Sequence, residues 1–117
     1  MREIKFRIFN KRRKKMIYDT EMAMRNMIDN DFVSEDEHRY LMQYTGLKDK
    51  NGREIYEGDI IRIYNDEIDE EDSWIGEVSY HIGGFFSGDE DLLGNVHFRA
   101  KVIGNIYENP ELLEGLK

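Results

Sequence analysis

The chain has 117 residues and a formal net charge of −8, with 39% hydrophobic and 12% aromatic residues. This length fits one compact domain, and the aromatic content argues against a disordered chain. The sequence contains no cysteine, which excludes disulfides, a thiolate nucleophile and a thiolate zinc site.

No apolar run approaches the roughly 18 residues that a membrane-spanning helix needs. The first residues also lack the apolar stretch of a secretory signal. We therefore expect a cytoplasmic protein without membrane contact.

Residues 4–9 alternate between apolar and basic side chains, which predicts a half-buried strand. Ile4, Phe6 and Ile8 point to one side of this strand, and Lys5 and Arg7 to the other. A polar turn follows, and residues 16–18 can return as the paired strand. Residues 1–18 therefore predict an N-terminal β-hairpin.

The turn of this hairpin is strongly basic, with Lys11, Arg12, Arg13, Lys14 and Lys15 in succession. Residues 1–15 hold eight basic residues and one acidic residue, a net +7, whereas the rest holds nine basic and 24 acidic residues, a net −15. Such a run is a candidate for binding nucleic acid phosphates. The acidic remainder opposes a polyanion beyond the reach of the hairpin, which favours a solvated turn.

The next segment predicts a short amphipathic helix, because Met24, Met27 and Ile28 recur at helical spacing. We expect these methionines to fill the core. Residues 29–39 are typical of a polar loop.

Strand signals return after residue 40, in residues 60–64, 75–82 and 95–106. Val78, Tyr80 and Ile82 share one face of the second segment, and Val96, Phe98, Ala100 and Val102 point inward from the third. Glycine turns and acidic loops separate these short strands. The pattern predicts a mainly β (β-rich α+β) fold that closes into a small barrel.

Gly46, Gly52 and Gly58 are spaced six residues apart. No glycine precedes the lysine and hydroxyl residue of a phosphate loop, and a calcium loop aligned on Gly52 lacks its first and last ligands. A chain of turns remains. Asn51-Gly52 predicts a type I′ hairpin turn, in which both residues have positive φ, and Gly46 and Gly58 mark bends between strands.

Three strings resemble the YopX-like family of small phage and prophage proteins: MREIKFRIFNKRRKKMIYD, LMQYTGLKDKNGREIYEGDIIRI and VIGNIYENPELL. The resemblance covers residues 1–18, 41–64 and 102–113. It implies an SH3-type β-barrel with extra elements in a bacterial host cell. We expect one YopX-like domain over residues 1–117, with the hairpin at 1–18 and the barrel at 41–113. The resemblance brings no catalytic residue.

Histidines are the strongest candidates for an enzymatic site. His81 and His97 lie at outward positions of two predicted strands and could neighbour each other with Glu77, as metal binding or proton transfer requires. Surface imidazoles are the simpler interpretation, since no zinc-protease, esterase or triad motif accompanies them. The acidic runs are typical of solvated loops. We expect no enzymatic activity, no metal and no cofactor.

Aromatic residues are better candidates for a functional site than the histidines. SH3-type barrels bind extended peptides through aromatic rings that lie beside acidic loops. The candidate protein-binding residues are Trp74, Tyr64, Tyr80 and Phe86. We expect a non-enzymatic phage accessory protein that binds a host or phage protein, with a homo-oligomer left open. The first alternative is a nucleic-acid-binding module using the basic hairpin. The second is an acidic DNA mimic that inhibits a host DNA-binding protein.

Overall fold

The computed structural model describes residues 3–11, 13–28 (backbone only at 26–28), 41–65, 72–88 and 91–114. The chain forms two compact units, Met1–Tyr44 and Thr45–Lys117. Among the described residues, no helix is long and apolar enough to cross a membrane. A single domain over residues 1–117, with a barrel over 41–113, stays a prediction.

The first unit is a small antiparallel sheet with one helix. Its elements are β1 (Phe6–Asn10), β2 (Lys15–Ile17), α1 (Thr20–Ile28) and the start of β3 (Leu41–Lys48). β1 lies in the centre, with Ile8 opposite Ile17 of β2 and opposite Leu41 of β3. The predicted hairpin and short helix are confirmed.

Side-chain hydrogen bonds of Asp19 and Thr20 stabilise the N-terminal end of α1. The Asp19 carboxylate accepts the N–H of Met22 at 3.1 Å, as an N-cap residue does. The Thr20 hydroxyl oxygen accepts the N–H of Phe6 at 3.1 Å, which ties the helix to β1. Ala23 is fully buried on the inner side of the helix.

The predicted alternation in β1 is wrong at two positions. Ile4 precedes the strand and is 69% exposed, whereas Arg7 is buried. Arg7 lies opposite the buried Met42, and its guanidinium is 5.8 Å from the centre of the Tyr18 ring. β1 lies between β2 and β3 and packs against α1, and none of its five residues is exposed. An aromatic ring supports the buried cation there.

The second unit contains most of the strands. They are the end of β3, β4 (Glu54–Tyr56), β5 (Asp59–Tyr64), β6 (Ser73–His81), β7 (Gly84–Ser87), β8 (Asp91–Leu92) and β9 (Ala100–Asn105). The helical segments are α2 (Leu93–Val96), a 3₁₀ turn (His97–Arg99) and α3 (Glu111–Glu114). The last five strands form an antiparallel sheet in the order β8-β7-β6-β5-β9.

One face of this sheet forms the core, together with α2. In β5, Ile61 lies opposite Gly76 of β6 and Val102 of β9. The buried cluster consists of Ile55, Ile61, Ile63, Val78, Phe85, Leu93, Val96, Ala100 and Val102. The mainly β class is confirmed, and closure as an SH3-type barrel stays a prediction.

The predicted strand over residues 95–106 is wrong in its first half. Residues 93–99 are helical and the strand begins at Ala100, so Phe98 is 63% exposed instead of inward. Leu93 and Val96 are three residues apart and both buried. A helical turn places residues at this spacing on one face, whereas a strand would place them on opposite faces.

The turn at residues 49–53 differs from the predicted type. Gly52 has φ +83°, but Asn51 is not among the described residues with positive φ, so the type I′ assignment is wrong. The N–H of Gly52 donates to the Asp49 carbonyl at 3.0 Å, and the N–H of Asp49 donates to the Arg53 carbonyl at 2.8 Å. This is a three-residue hairpin loop with a left-handed glycine. Gly46 and Gly58 also have positive φ, at +84° and +83°.

Candidate protein-binding site

Asp49 holds the turn between β3 and β4. Its Oδ1 accepts the N–H groups of Asn51 and Arg53, both at 2.9 Å, and its Oδ2 accepts the N–H of Val102 at 2.9 Å. The N–H of Lys50 donates to the Ala100 carbonyl at 2.9 Å. The turn therefore covers the outer edge of β9.

Two further buried polar side chains shape turns in the same way. The Oδ2 of Asp59 accepts the N–H of Tyr56 at 2.8 Å and closes the bend at Gly58. The Oδ1 of Asn105 accepts the N–H groups of Tyr107 and Glu108, at 3.1 and 2.8 Å. Sequence reasoning missed these residues and Asp49. An Asp or Asn just before a turn can accept the backbone N–H two residues on, and this signal would have found Asp49 and Asn105. Asp59 follows its turn and accepts the N–H of a residue before it, so the same signal does not find it.

Trp74 is half-buried and lies opposite Ile63 on the core side of β6. Its Nε1–H donates to Asp91 Oδ2 at 2.8 Å, and the Arg99 guanidinium lies 5.7 Å from its ring centre. The Trp74 ring therefore contacts side chains of its own unit, although the sequence predicts that it binds a partner protein.

Tyr64 and Phe86 lie on the other side of the sheet. Tyr64 is 9% exposed, and its ring is covered by the Lys50 ammonium at 4.9 Å. The Phe86 ring packs against His81, with centroids 4.3 Å apart. Opposite residues in a ladder share a face, so Trp74 and Tyr80 project from one face and these two rings from the other. The structure does not bring the four predicted aromatics into one patch.

The tip of the β6–β7 hairpin is the most exposed apolar part of the described second unit. His81 pairs with Gly84, leaving Ile82 and Gly83 as a two-residue loop. Ile82 is 94% exposed. Tyr80 is 55% exposed, with its ring edge-on to Phe85 at 5.0 Å.

The backbone of this loop is strained at Ile82. Ile82 and Gly83 have φ values of +51° and +76°, as a type I′ loop requires. For an L-residue the left-handed conformation costs about 1–2 kcal/mol, and a branched β-carbon makes it rarer still. The sequence favoured Asn51-Gly52 for this loop type, whereas Ile82 carries no such turn signal.

The two candidate histidines occupy separate environments. The Nδ1–H of His97 donates to the Lys48 carbonyl at 2.7 Å, and His97 lies in a 3₁₀ turn instead of a strand. Glu77 lies opposite the fully buried Ile60, and its partial burial raises the pKa of its carboxyl. Within the described ranges, no group of three or more histidine and carboxylate side chains could hold a metal ion.

The basic turn of the first unit lies between β1 and β2. Lys11, Arg13, Lys14 and Lys15 are all exposed, and Lys14 has φ +52°. Arg12 lies outside the described residues.

Comparison with known proteins is consistent with this architecture. The model of the YopX protein family matches residues 5–114. The chain belongs to the YopX family. It is 40% identical over 75 residues to the "SPbeta prophage-derived uncharacterized protein YopX" of Bacillus subtilis, covering 56% of this chain and 54% of that relative. The match thus spans about half the length of the curated relative.

A solved structure matches nearly the whole YopX-family chain. The crystal structure of protein EF1440 from Enterococcus faecalis has a TM-score of 0.64 and 29% identity, over 97% of this chain and 99% of that one. The family match and the prophage-derived relative confirm the resemblance that the sequence strings indicate.

The strings that carry the family resemblance coincide with the turns fixed by buried polar groups. Asp49, Asp59 and Asn105 all lie within those strings. Tyr80 and Ile82 lie outside them. In this YopX-family chain the family strings therefore build the framework, and the exposed hairpin tip is a feature of the intervening segment.

Proposed function

We propose that this protein is a non-enzymatic phage accessory protein that binds another protein through the tip of the β6–β7 hairpin. Residues 80–83 form this hairpin tip. The observation that carries the proposal is Ile82, which is 94% exposed and has φ +51°.

Both features of Ile82 are unfavourable in the free protein. The left-handed backbone costs about 1–2 kcal/mol, and the exposed side chain contributes no burial. Asparagine at this position would remove most of the strain and the apolar exposure together. Strained residues concentrate where a site needs a particular side chain in a particular place. Covering Ile82 with an apolar surface of a partner would contribute roughly 1.5–3 kcal/mol.

The two histidines that are candidates for catalysis both contact other groups of the protein, which supports a binding function over catalysis. His97 is tied to the Lys48 carbonyl, and the His81 ring packs on Phe86. We infer a partner of host or phage origin in the bacterial cytoplasm, with a second copy of the chain as an open alternative.

The proposal can be tested by capture and titration. Immobilised wild type, Ile82→Asn and Phe98→Asn are incubated with lysate of bacteria that carry the prophage. Phe98 is the matched control, because it is also an exposed apolar residue of the second unit, at 63%. Captured proteins are identified by mass spectrometry, purified and titrated by calorimetry.

We expect wild type and Phe98→Asn to bind the same partner with similar Kd. Ile82→Asn should weaken the affinity at least about tenfold, from the loss of roughly 1.5–3 kcal/mol of apolar burial. An unchanged Kd for Ile82→Asn, or equal losses in both variants, would show that the hairpin tip is not the binding surface.

A further inference from the structure

The turn of the β1–β2 hairpin is a second surface with an unusual character. Residues 4–18 contain seven basic residues and no acidic residue. Lys11, Arg13, Lys14 and Lys15 are exposed. None of these four side chains forms an ion pair with another residue in the part of the chain that the structure describes. Their charges are therefore available to an external anion.

The turn backbone holds these charges together in advance. Asn10 lies opposite Lys15 in the ladder, and its Oδ1 accepts the N–H of Arg13 at 3.1 Å. Lys14, directly before β2, has a left-handed backbone conformation with φ +52°. Like charges repel at this spacing, so an anion bound at the turn removes an unfavourable interaction without ordering the segment.

We propose that the basic turn, residues 11–15, binds the phosphate backbone of nucleic acid without reading sequence. Lys and Arg are the residues that neutralise phosphates. A two-stranded ribbon is narrow enough to enter the major groove, which is about 12 Å wide. This binding is separate from the protein partner proposed above and does not depend on it.

The acidic remainder of the chain weakens this binding but does not forbid it. Salt screens the repulsion between these acidic residues and an anion bound at the turn, with a screening length of about 8 Å at physiological ionic strength. Acidic protein surfaces also attract lysine and arginine. Phosphodiester chains suit five consecutive basic residues better, because they present one charge per nucleotide along a continuous strand and release condensed counterions.

A salt titration separates the turn from the net charge of the molecule. Binding of a fluorescent 20-base-pair duplex is followed by anisotropy between 50 and 300 mM salt. The turn variant is Lys11→Gln, Arg13→Gln and Lys15→Gln. The control variant is Lys48→Gln, Arg53→Gln and Lys101→Gln, at three exposed basic residues of the second unit. Both variants lose three positive charges, so they differ only in where the charge is removed.

The wild type should bind with a log–log salt slope of about −2.7 to −4.5, for three to five phosphate contacts. The turn variant should lose about 2 to 3 units of slope and at least tenfold in affinity at 50 mM salt, while the control variant keeps the wild-type slope. Backbone amide NMR shifts of residues 11–15 on adding DNA to wild type give a readout that needs no variant.

Three outcomes would overturn the proposal. They are no binding at 50 mM salt, equal losses in the two variants, and amide shifts confined to the second unit. Competition by polyglutamate as effective as by DNA, at equal charge concentration, would likewise replace nucleic acid with an acidic protein as the partner.

Discussion

At the scale of single residues, buried polar side chains fix the turns of the second unit. Asp49 is 6% exposed and accepts three backbone N–H groups, one of them from Val102 on β9. Removing the carboxylate leaves these donors without their charged acceptor. Asp49→Ala should lower the free energy of unfolding by about 3–5 kcal/mol.

Urea denaturation measures this effect directly. Asp72→Ala is a suitable control, because Asp72 is exposed and its described hydrogen bond uses only its backbone carbonyl. The control should change stability by no more than about 0.5 kcal/mol. Similar values for the two variants would contradict the role given to Asp49.

Gly52 provides a test of backbone conformation alone. A β-carbon built on Gly52 or on Gly94 meets no atom within 4 Å, but only Gly52 has positive φ. Gly52→Ala should therefore destabilise the protein by about 1–2 kcal/mol through strain. Gly94→Ala, in helix α2, should be neutral or stabilising by up to about 1 kcal/mol. Equal melting temperatures for the two variants would disprove the left-handed turn.

The raised pKa of the Glu77 carboxyl predicts that the stability of the protein depends on pH. Partial burial raises the pKa of its carboxyl above the ordinary value of 4.5. Between 4.5 and the raised pKa, the folded protein binds a proton that the unfolded chain does not. The contribution of Glu77 to stability therefore falls as pH rises through this window, and the penalty is complete above it.

Glu77→Gln removes the ionised carboxylate, so it should be more stable than wild type at pH 7. The advantage should shrink as pH falls towards 4.5, the ordinary value of the pKa. Denaturation curves of both proteins between pH 4 and 8 measure the difference. An advantage that does not change with pH would mean that ionisation of Glu77 is not its cause.

At the scale of elements, the turn after β9 depends on a close approach between backbone and side chain. A β-carbon on Gly104 would lie 2.6 Å from Oδ1 of Asn109, the atom that accepts the N–H of Asn105 at 3.2 Å. Gly104→Ala should push Asn109 away and destabilise the protein by roughly 1–3 kcal/mol.

A double-mutant cycle with Asn109→Ala tests this contact. Once the amide is removed, Gly104→Ala should cost less than it does in wild type, by at least about 0.5 kcal/mol. Additive effects would show that the two residues do not compete for space.

A strand with one buried face can be located from the period of two in its sequence. The segments where this pattern misleads show the physical reason. β6 follows this alternation, with Gly76 and Val78 buried between less buried neighbours. β5 is buried at five of its six positions, and its run of apolar residues locates it instead. Residues 95–99 also alternate, yet they are helical, because Leu93 and Val96 both reach the core from a helical turn. Arg7 was expected at the surface because alternation shows nothing of what covers the second face of a strand.

The candidate site was less predictable than the fold. Tyr80 was selected as an aromatic, and the structure leaves it exposed beside the hairpin tip. Trp74 was selected by the same reasoning and is hydrogen-bonded to Asp91 instead. Ile82 was missed, because exposure and a positive φ at a branched residue depend on the register between β6 and β7. The sequence alone does not give that register.

At the scale of the whole molecule, the charge is divided between the two units. Residues 1–44 hold ten basic and eight acidic residues, a net +2, whereas residues 45–117 hold seven basic and 17 acidic residues, a net −10. The basic turn belongs to the first unit and the apolar hairpin tip to the second. Substitutions in one surface therefore leave the other unit's charges and core unchanged, so the two proposed interactions can be tested separately.

We propose that the protein tolerates a strained, exposed isoleucine because that residue binds a partner. Ile82→Asn gives the most direct test, since one variant reports both stability and affinity. Relief of strain should raise the free energy of unfolding by about 1 kcal/mol, while the affinity for the captured partner falls at least about tenfold. If Ile82→Asn instead lowers stability, or leaves partner affinity unchanged, then Ile82 serves the fold and does not bind the partner.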